Sequence, residues 1–103
     1  MRKIRVIIKQ PGRKPYVTNI SDRLGNLQEH VGGYIETVTL FKDLVIICND
    51  EGRLRDLPYN CRILGIDFVG TIIFAGIKGE EFDDIPVDFK TFKKLFPDLW
   101  KED

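Results

Sequence analysis

Apolar residues recur at every second position of the segment 3–9, near the start of the chain. This alternation is typical of a β-strand, because successive side chains of a strand point to opposite faces. Residues 10–15 contain two prolines and a glycine, which suit a turn, and residues 16–20 return to a β-rich composition. The opening of the chain therefore predicts a β-hairpin.

The next periodic segment has the spacing of a helix. Leu24, Leu27 and Val31 recur at positions i, i+3 and i+7, as they do on one face of a helix. Ser21 precedes them and offers a hydroxyl that can cap the first turn. Gly32 and Gly33 follow, and a glycine readily takes the left-handed conformation that ends a helix. A short amphipathic helix is therefore predicted after the second strand.

Two apolar segments, residues 35–40 and 44–48, lie on either side of three residues that suit a tight hairpin turn. The second segment is apolar on both faces, which predicts a central strand. Residues 53–67 are predicted to form a long irregular connection, of a length that often has a function. Residues 68–77 return to strand composition.

Gly70 and Gly76 interrupt that last strand-like segment, and they predict a bulge or a close backbone approach. Near the end of the chain, Pro86 is expected to begin a helix and Pro97 to end it. The residues expected to dock this helix on the sheet are Phe89, Phe92 and Phe96.

These patterns predict one domain over residues 1–103, with an α+β fold. The expected architecture is a mostly antiparallel sheet of about five strands in the order β-β-α-β-β-β. The first helix should pack on one face of the sheet, with the C-terminal helix alongside.

Composition narrows the class of protein. Of the 103 residues 43% are hydrophobic, and 16 Lys and Arg balance 16 Asp and Glu. A net charge of zero disfavours a bulk electrostatic binder of nucleic acid or membranes. The longest dense apolar run is too short to span a bilayer, and no secretory signal pattern is present. We therefore expect a cytoplasmic protein whose two cysteines are reduced.

The two ends of the chain carry opposite charge. Residues 1–14 hold six basic side chains and no acidic one, whereas residues 80–103 hold eight acidic and four basic ones. One interpretation is a basic rim around Pro11 and Gly12 that binds an acidic partner or phosphate. The other is that the two ends are neighbours and neutralise each other. Tyr16 is the only aromatic residue near this loop in sequence, which disfavours a nucleic-acid partner.

Motifs for metal or cofactor chemistry are missing from the sequence. It has one histidine and two cysteines that are not in a CxxC pair, and it has no GxGxxG, P-loop or GxSxG motif. Neither a metal nor a cofactor is therefore predicted. Cys48 with His30 as its base would be the simplest route to an enzyme. However, Cys48 continues an apolar strand, where cysteine is usually a core residue, and His30 suits the end of a helix.

Candidate binding residues gather where the predicted central strand ends. The turn after this strand and the loop that follows it combine charged, amide and aromatic groups, and loops on a rigid scaffold are common recognition sites. The alternative is that Asn49 and Asp50 only close a turn, while Leu57 and Tyr59 cover the edge of the sheet. With the two glycines of the helix end, the candidate set is Gly32, Gly33, Asn49, Asp50, Glu51, Arg55, Tyr59 and Asn60.

Four short motifs occur in a fixed order. They are VGGYIE at 31–36, ICNDEG at 47–52, LPYN at 57–60 and FVGT at 68–71. In order and spacing they resemble the bacterial and phage family catalogued as domain of unknown function 3846, over roughly residues 5–77. The resemblance implies an accessory role on phages or mobile elements, and it assigns no catalytic residue.

Three classes of function are compatible with these observations. The first is a non-enzymatic accessory protein that binds a host or phage macromolecule, most simply a protein. The second is a small-ligand binder, for example of a nucleotide, that uses the backbone of Gly32 and Gly33 with the side chains of Asn49, Asp50 and Asn60. The third is a small enzyme that uses Cys48 or a carboxylate.

Overall fold

A computed structural model describes residues 2–101 of the chain. Glu102 and Asp103, which belong to the acidic end of the sequence, lie outside the described residues. The strands are β1 (Lys3–Lys9), β2 (Tyr16–Ser21), β3 (Ile35–Phe41), β4 (Leu44–Asn49), β5 (Tyr59–Ile63), β6 (Ile66–Val69), β7 (Ile72–Lys78) and β8 (Glu81–Asp83). The helices are α1 (Leu24–Val31) and α2 (Phe89–Leu95), followed by a C-terminal 3-10 helix (Pro97–Trp100).

The main sheet has the strand order β2-β1-β7-β4-β3. Strand β7 pairs with β1 through residues 72–74 and with β8 through residues 76–78. Every pair is antiparallel. The predicted α+β fold with a mostly antiparallel sheet is therefore confirmed, with six strands in place of about five. β4 lies between β3 and β7 and is buried along its whole length, as its apolar composition predicted.

Each face of the main sheet has its own apolar core. One core lies under α1 and includes Leu27, Val31 and Ile47. The other includes Phe74 and Phe92 and lies under α2, the C-terminal 3-10 helix and the β5–β6 hairpin. The two helices therefore pack on opposite faces of the sheet, so the expectation that the C-terminal helix lies alongside the first helix was wrong.

The aromatic side chains of α2 dock this helix on the sheet. The Phe92 ring is fully buried and meets the Phe74 ring edge to face, with centroids 4.8 Å apart. Phe96 is also buried and lies 5.1 Å from Phe92 between ring centroids. Phe89 is half-buried and its centroid lies 5.7 Å from that of Trp100. All three predicted docking residues therefore contribute to this layer.

Both helices begin later than predicted. The Asp88 carboxylate accepts a hydrogen bond from the Thr91 backbone N–H, and it therefore starts α2 at Phe89 and not at Pro86. This hydrogen bond also lowers the pKa of Asp88. In α1 the Ser21 hydroxyl accepts a hydrogen bond from the Arg23 N–H, two residues along, which closes a local turn before the helix begins.

The predicted irregular connection over residues 53–67 was wrong in its second half. Residues 59–69 form the β5–β6 hairpin, a separate two-stranded sheet. Its two-residue turn places Leu64 at φ 49° and Gly65 at φ 80°. Two successive positive φ angles are the geometry of a tight hairpin turn, which usually has Asn or Asp at the first position. The leucine there hid this turn from sequence reasoning.

The two glycines of the last strand-like segment have different roles. Gly70 has φ 72°, so the chain turns there and separates β6 from β7. At Gly76, the carbonyl oxygen of Asp84 occupies the space that a Cβ would need. The predicted close backbone approach is therefore confirmed at Gly76. Within residues 2–101, no helix is long and apolar enough to cross a membrane.

Candidate functional site: two grooves beside the β5–β6 hairpin

The β5–β6 hairpin separates two grooves of opposite charge. The acidic groove runs along β6 and the turn after β4, and it has a volume of about 300 Å³. The basic groove runs along β5, the loop after β1 and the C-terminal 3-10 helix, and it has a volume of about 620 Å³. Of the eight predicted binding residues, three line the acidic groove, two line the basic groove, and the remaining three line neither of them.

Four carboxylates lie around the acidic groove, and they come from Glu36, Asp50, Glu51 and Asp67. All four residues are exposed, and Arg53 is the one basic residue that lines the groove among the described residues. Because the carboxylates come from β3, the β4 turn and β6, they surround the groove on more than one side. The groove therefore presents concentrated negative charge.

Apolar side chains lie among these carboxylates. Leu54 is 85% exposed and Ile66 is 41% exposed, and both line the acidic groove. A leucine that is almost fully exposed on a folded loop gains little from folding, so its burial by a partner would be favourable. The acidic groove thus combines an apolar contact surface with negative charge.

Cys48 lies in the wall of the acidic groove, and its environment keeps the thiol protonated. Burial, together with the negative charges of Glu36 and Asp50, raises the pKa of this thiol to about 11. The thiol also lies 3.7 Å from the Glu36 carbonyl oxygen, to which it donates. Since the thiolate is the nucleophilic form of cysteine, these contacts oppose nucleophilic catalysis at Cys48.

Four of the predicted binding residues, Gly32, Gly33, Asn49 and Arg55, meet at the end of α1. The buried Asn49 side chain donates to the Val31 carbonyl at 3.0 Å and accepts from the Glu51 N–H at 2.7 Å. The Arg55 guanidinium donates to the Gly32 carbonyl at 2.6 Å. These contacts join the loop after β4 to the helix end.

The same contacts occupy the groups that a ligand would need at the two glycines. The N–H groups of Gly32 and Gly33 both donate to the Gln28 carbonyl. A Cβ on Gly33 would lie 2.8 Å from the Arg55 guanidinium and 2.9 Å from the Asn49 amide nitrogen. This cluster therefore holds the loop in place, and of the predicted binding residues only Asp50 and Glu51 are exposed side chains that line the acidic groove.

Tyr59 and Asn60 lie on the other side of the hairpin, in the wall of the basic groove. The Asn60 amide nitrogen donates to the carbonyls of Lys9 at 2.8 Å and Gly70 at 2.7 Å, so it joins β1 to the turn after β6. Its Oδ1 atom is buried and has no hydrogen-bond partner among the described residues. The Tyr59 hydroxyl donates to the Asp67 carboxylate at 2.9 Å.

Within residues 2–101, five basic side chains and one acidic side chain line the basic groove, and they come from three segments that are far apart in sequence. They are Lys9, Arg13, Lys14, Arg62, Lys101 and Asp98. Sequence reasoning identified the basic loop and found only Tyr16 as a nearby aromatic residue. The fold brings Tyr59 and Trp100 to the same groove, which the linear sequence did not reveal.

The expectation that the oppositely charged ends neutralise each other holds for one part of the N-terminal segment. Arg2 forms an ion pair with Asp83, and the Arg5 guanidinium donates to the Ile85 carbonyl at 2.8 Å. In contrast, Arg13 and Lys14 are exposed and form no side-chain hydrogen bond or ion pair within residues 2–101. Arg13 and Lys14 therefore bring exposed positive charge to the basic groove.

Comparison with protein-family models identifies one family, described as Domain of unknown function (DUF3846), whose model matches residues 4–97. The chain therefore belongs to this family, which confirms the resemblance and extends it to the C-terminal helix. Comparisons with curated proteins and with solved structures find no significant match.

Proposed function

We propose that this member of the family is a non-enzymatic accessory protein that binds a protein partner through the acidic groove. The partner segment is basic and partly apolar. The observation that carries this proposal is the exposure of Leu54, 85%, within a groove lined by four acidic residues. Recognition here combines burial of an apolar contact with charge complementarity.

The loop that carries Leu54 is held before any partner arrives. Asn49 and Arg55 fix its two ends to the end of α1 through hydrogen bonds of 2.6 to 3.0 Å. A loop that is already ordered loses little conformational entropy when it binds. The contacts made by these two predicted residues therefore support binding indirectly, by holding Asp50, Glu51 and Leu54 in position.

The carboxylates contribute mainly to partner selection. Complementary charge speeds the encounter with a basic segment and disfavours acidic competitors, whereas affinity comes mostly from buried apolar contacts. We accordingly expect partner capture to weaken as ionic strength rises. The motif resemblance supports the proposed role on a phage or mobile element, and the lack of a secretory signal pattern in the sequence supports its location in the cytoplasm of the host.

The experiment is affinity capture from a bacterial host lysate, with protein identification by mass spectrometry. The groove variant combines Asp50→Asn, Glu51→Gln and Leu54→Ser, none of which removes a side-chain hydrogen bond that holds the fold. The matched control combines Leu24→Ser, Glu29→Gln and Glu80→Gln, three exposed positions that do not line either groove.

Wild type and the control should capture the same protein, and the groove variant should lose it while its circular dichroism spectrum and melting temperature stay unchanged. A folded groove variant that still captures this protein would contradict the proposal. Equal loss of the captured protein in the control variant would also contradict the proposal.

A further inference from the structure

The basic groove has the dimensions of a small-molecule site. Its volume of about 620 Å³ lies inside the range of roughly 300–1,000 Å³ that is typical of ligand pockets. The groove lies on the opposite side of the hairpin from the acidic groove, and the Asp67 carboxylate contacts Tyr59 and Arg62 of the basic groove.

The charges of this groove suit a compact polyanion. Arg13 and Lys14 extend from the loop after β1 without a side-chain partner within residues 2–101, and Arg62 faces the groove from β5. Arg62 forms an ion pair with Asp67 at 3.7 Å, and both side chains are exposed, so solvent screens this pair and the guanidinium remains open to a second anion. Guanidinium and ammonium groups that converge from two segments are the usual donors to phosphate oxygens.

Two aromatic rings line the same groove, and both are held in position. The Tyr59 side chain is 56% exposed and is anchored by its hydroxyl to Asp67. The Trp100 ring packs against Phe89 and Phe92, with centroids 5.7 and 6.0 Å away, and the Lys93 ammonium lies over it, 5.5 Å from its centroid. Rings that are fixed before binding offer stacking surface for a planar base at little entropic cost.

Asn60 holds the wall of this groove in place. Its amide nitrogen donates to the carbonyls of Lys9 and Gly70. Its Oδ1 atom is buried and has no donor within residues 2–101, so this atom is not available to a ligand in the groove.

We propose that the basic groove binds a nucleoside phosphate, with the phosphates at Arg13, Lys14 and Arg62 and the base against Tyr59 and Trp100. The limited volume and the net charge of zero for the whole chain favour a mononucleotide over an extended nucleic acid, which needs a longer basic track. An acidic peptide would use the charges and leave the two rings without a planar partner.

Titration calorimetry tests this with the four ribonucleoside triphosphates, adenosine, inorganic triphosphate and a single-stranded oligonucleotide as probes. Trp100 is the only tryptophan of the chain, so its fluorescence gives a second readout from inside the groove. At least one ribonucleoside triphosphate should bind about tenfold or more tightly than adenosine and inorganic triphosphate, with a change in Trp100 emission.

Three results would overturn the proposal. Equal binding of inorganic triphosphate would mean an anion site that does not recognise the base. Tighter binding of the oligonucleotide than of any mononucleotide would mean a single-strand site. Binding of none of the four nucleotides would mean that the groove is not a nucleotide site.

Variants locate the site. The pair Arg13→Gln and Lys14→Gln should weaken nucleotide binding by about tenfold or more, whereas Lys42→Gln with Lys78→Gln, exposed and outside the groove, should leave it unchanged. Nucleotide affinity that is unaffected by the first pair would place the ligand elsewhere.

The contribution of the Tyr59 ring needs a separate control. Tyr59→Leu should weaken the nucleotide and leave inorganic triphosphate unchanged, because only the nucleotide stacks on the ring. Asp67→Asn loosens the anchor of the Tyr59 hydroxyl and keeps the ring, so it should retain most of the nucleotide affinity. Equal loss in both variants would contradict a stacking role for the ring.

Discussion

The acidic and basic grooves differ in how their residues are distributed along the chain. The acidic groove is built mainly from residues 48–54, the end of β4 and the turn after it, with further residues from β3 and β6. The basic groove is assembled from the loop after β1, from β5 and from the C-terminal 3-10 helix. The first groove therefore depends on local turn contacts, and the second depends on packing between distant segments.

This difference predicts that the two grooves respond to different substitutions. Loss of α2 packing should affect the basic groove first, because the 3-10 helix that carries Trp100 follows α2 directly. Loss of a turn contact should affect the acidic groove first. We expect the largest loss of stability from a substitution in the core under α2, and the smallest from the removal of an exposed ion pair.

Phe92→Ala should cause the largest loss of stability. Phe92 is fully buried against Phe74, and truncation of a buried phenylalanine costs about 3 to 5 kcal/mol. Chemical denaturation measures the free energy of unfolding, and Leu95→Ala, at an exposed position of the same helix, is the control. An unchanged denaturation midpoint for Phe92→Ala would mean that α2 does not support the core.

Asn49→Ala should cause a smaller loss, concentrated at the acidic groove. It leaves the Val31 carbonyl and the Glu51 N–H without their partner, and one unsatisfied buried group costs about 1 to 3 kcal/mol. Amide hydrogen exchange should rise in residues 49–56 and stay low in β5. Asp50→Asn, in the same turn, should leave exchange unchanged, and equal exchange in both variants would remove the role assigned to Asn49.

The two thiols, one beside each groove, predict a loss of stability at alkaline pH. Burial is the main cause that raises the pKa of both Cys48 and Cys61 from 9.0 to about 11. A raised pKa means that the folded state holds the thiol proton more tightly than the unfolded chain does. The contribution of the two thiols to the free energy of unfolding is therefore complete below pH 9, and it is lost as the pH rises toward 11. A double Cys→Ala variant should show a flatter decline over this interval, and an identical decline would contradict the assignment.

One substitution is expected to change the pKa of one thiol and not of the other. Asp50→Asn removes a negative charge that raises the pKa of Cys48, so it should lower the thiol pKa of Cys48 and leave that of Cys61 unchanged. Thiolate absorbance against pH, measured in variants that keep one cysteine each, gives the two values. An equal change in the pKa values of both thiols would mean that the charge of Asp50 does not act locally on Cys48.

The smallest expected effect concerns the paired N-terminal charge. Asp83→Asn removes the exposed ion pair with Arg2, and exposed pairs contribute about 0 to 1 kcal/mol. The change in melting temperature should be small, and nucleotide binding in the basic groove should be unchanged. A large drop in nucleotide affinity would mean that Arg2, not the loop at Arg13 and Lys14, supplies the functional charge.

The difference between local and long-range contacts also explains which elements of the fold were predicted from the sequence and which were missed. β1, β4 and α1 have strong local patterns, and they lie close to their expected positions. The β5–β6 hairpin was missed because Leu64 occupies a turn position where glycine, asparagine or aspartate is usual. β8 was missed because its three residues are too few for a periodic pattern and are defined by their pairing with β7.

For the site, sequence reasoning located the turn at Asp50 and Glu51 but grouped it with Tyr59 and Asn60, which lie across the hairpin. Residues 53–67 were predicted to form one irregular connection, so nothing in the pattern indicated that Tyr59 and Asn60 belong to a strand that faces a different groove. Trp100 was missed for a different reason, because its approach to the basic loop depends on long-range packing of the chain end.

The most direct test of two separate binding grooves is to map two probes on the same protein by backbone amide and indole chemical shifts. The probes are a short synthetic peptide of lysine and leucine and the tightest nucleotide from the calorimetry. The peptide should shift signals at Asp50, Leu54 and Ile66, and the nucleotide should shift those at Arg13, Tyr59 and the Trp100 indole. Two separate sets of shifts are the predicted result, and shifts of both probes in one groove, or of neither probe in its assigned groove, would contradict it.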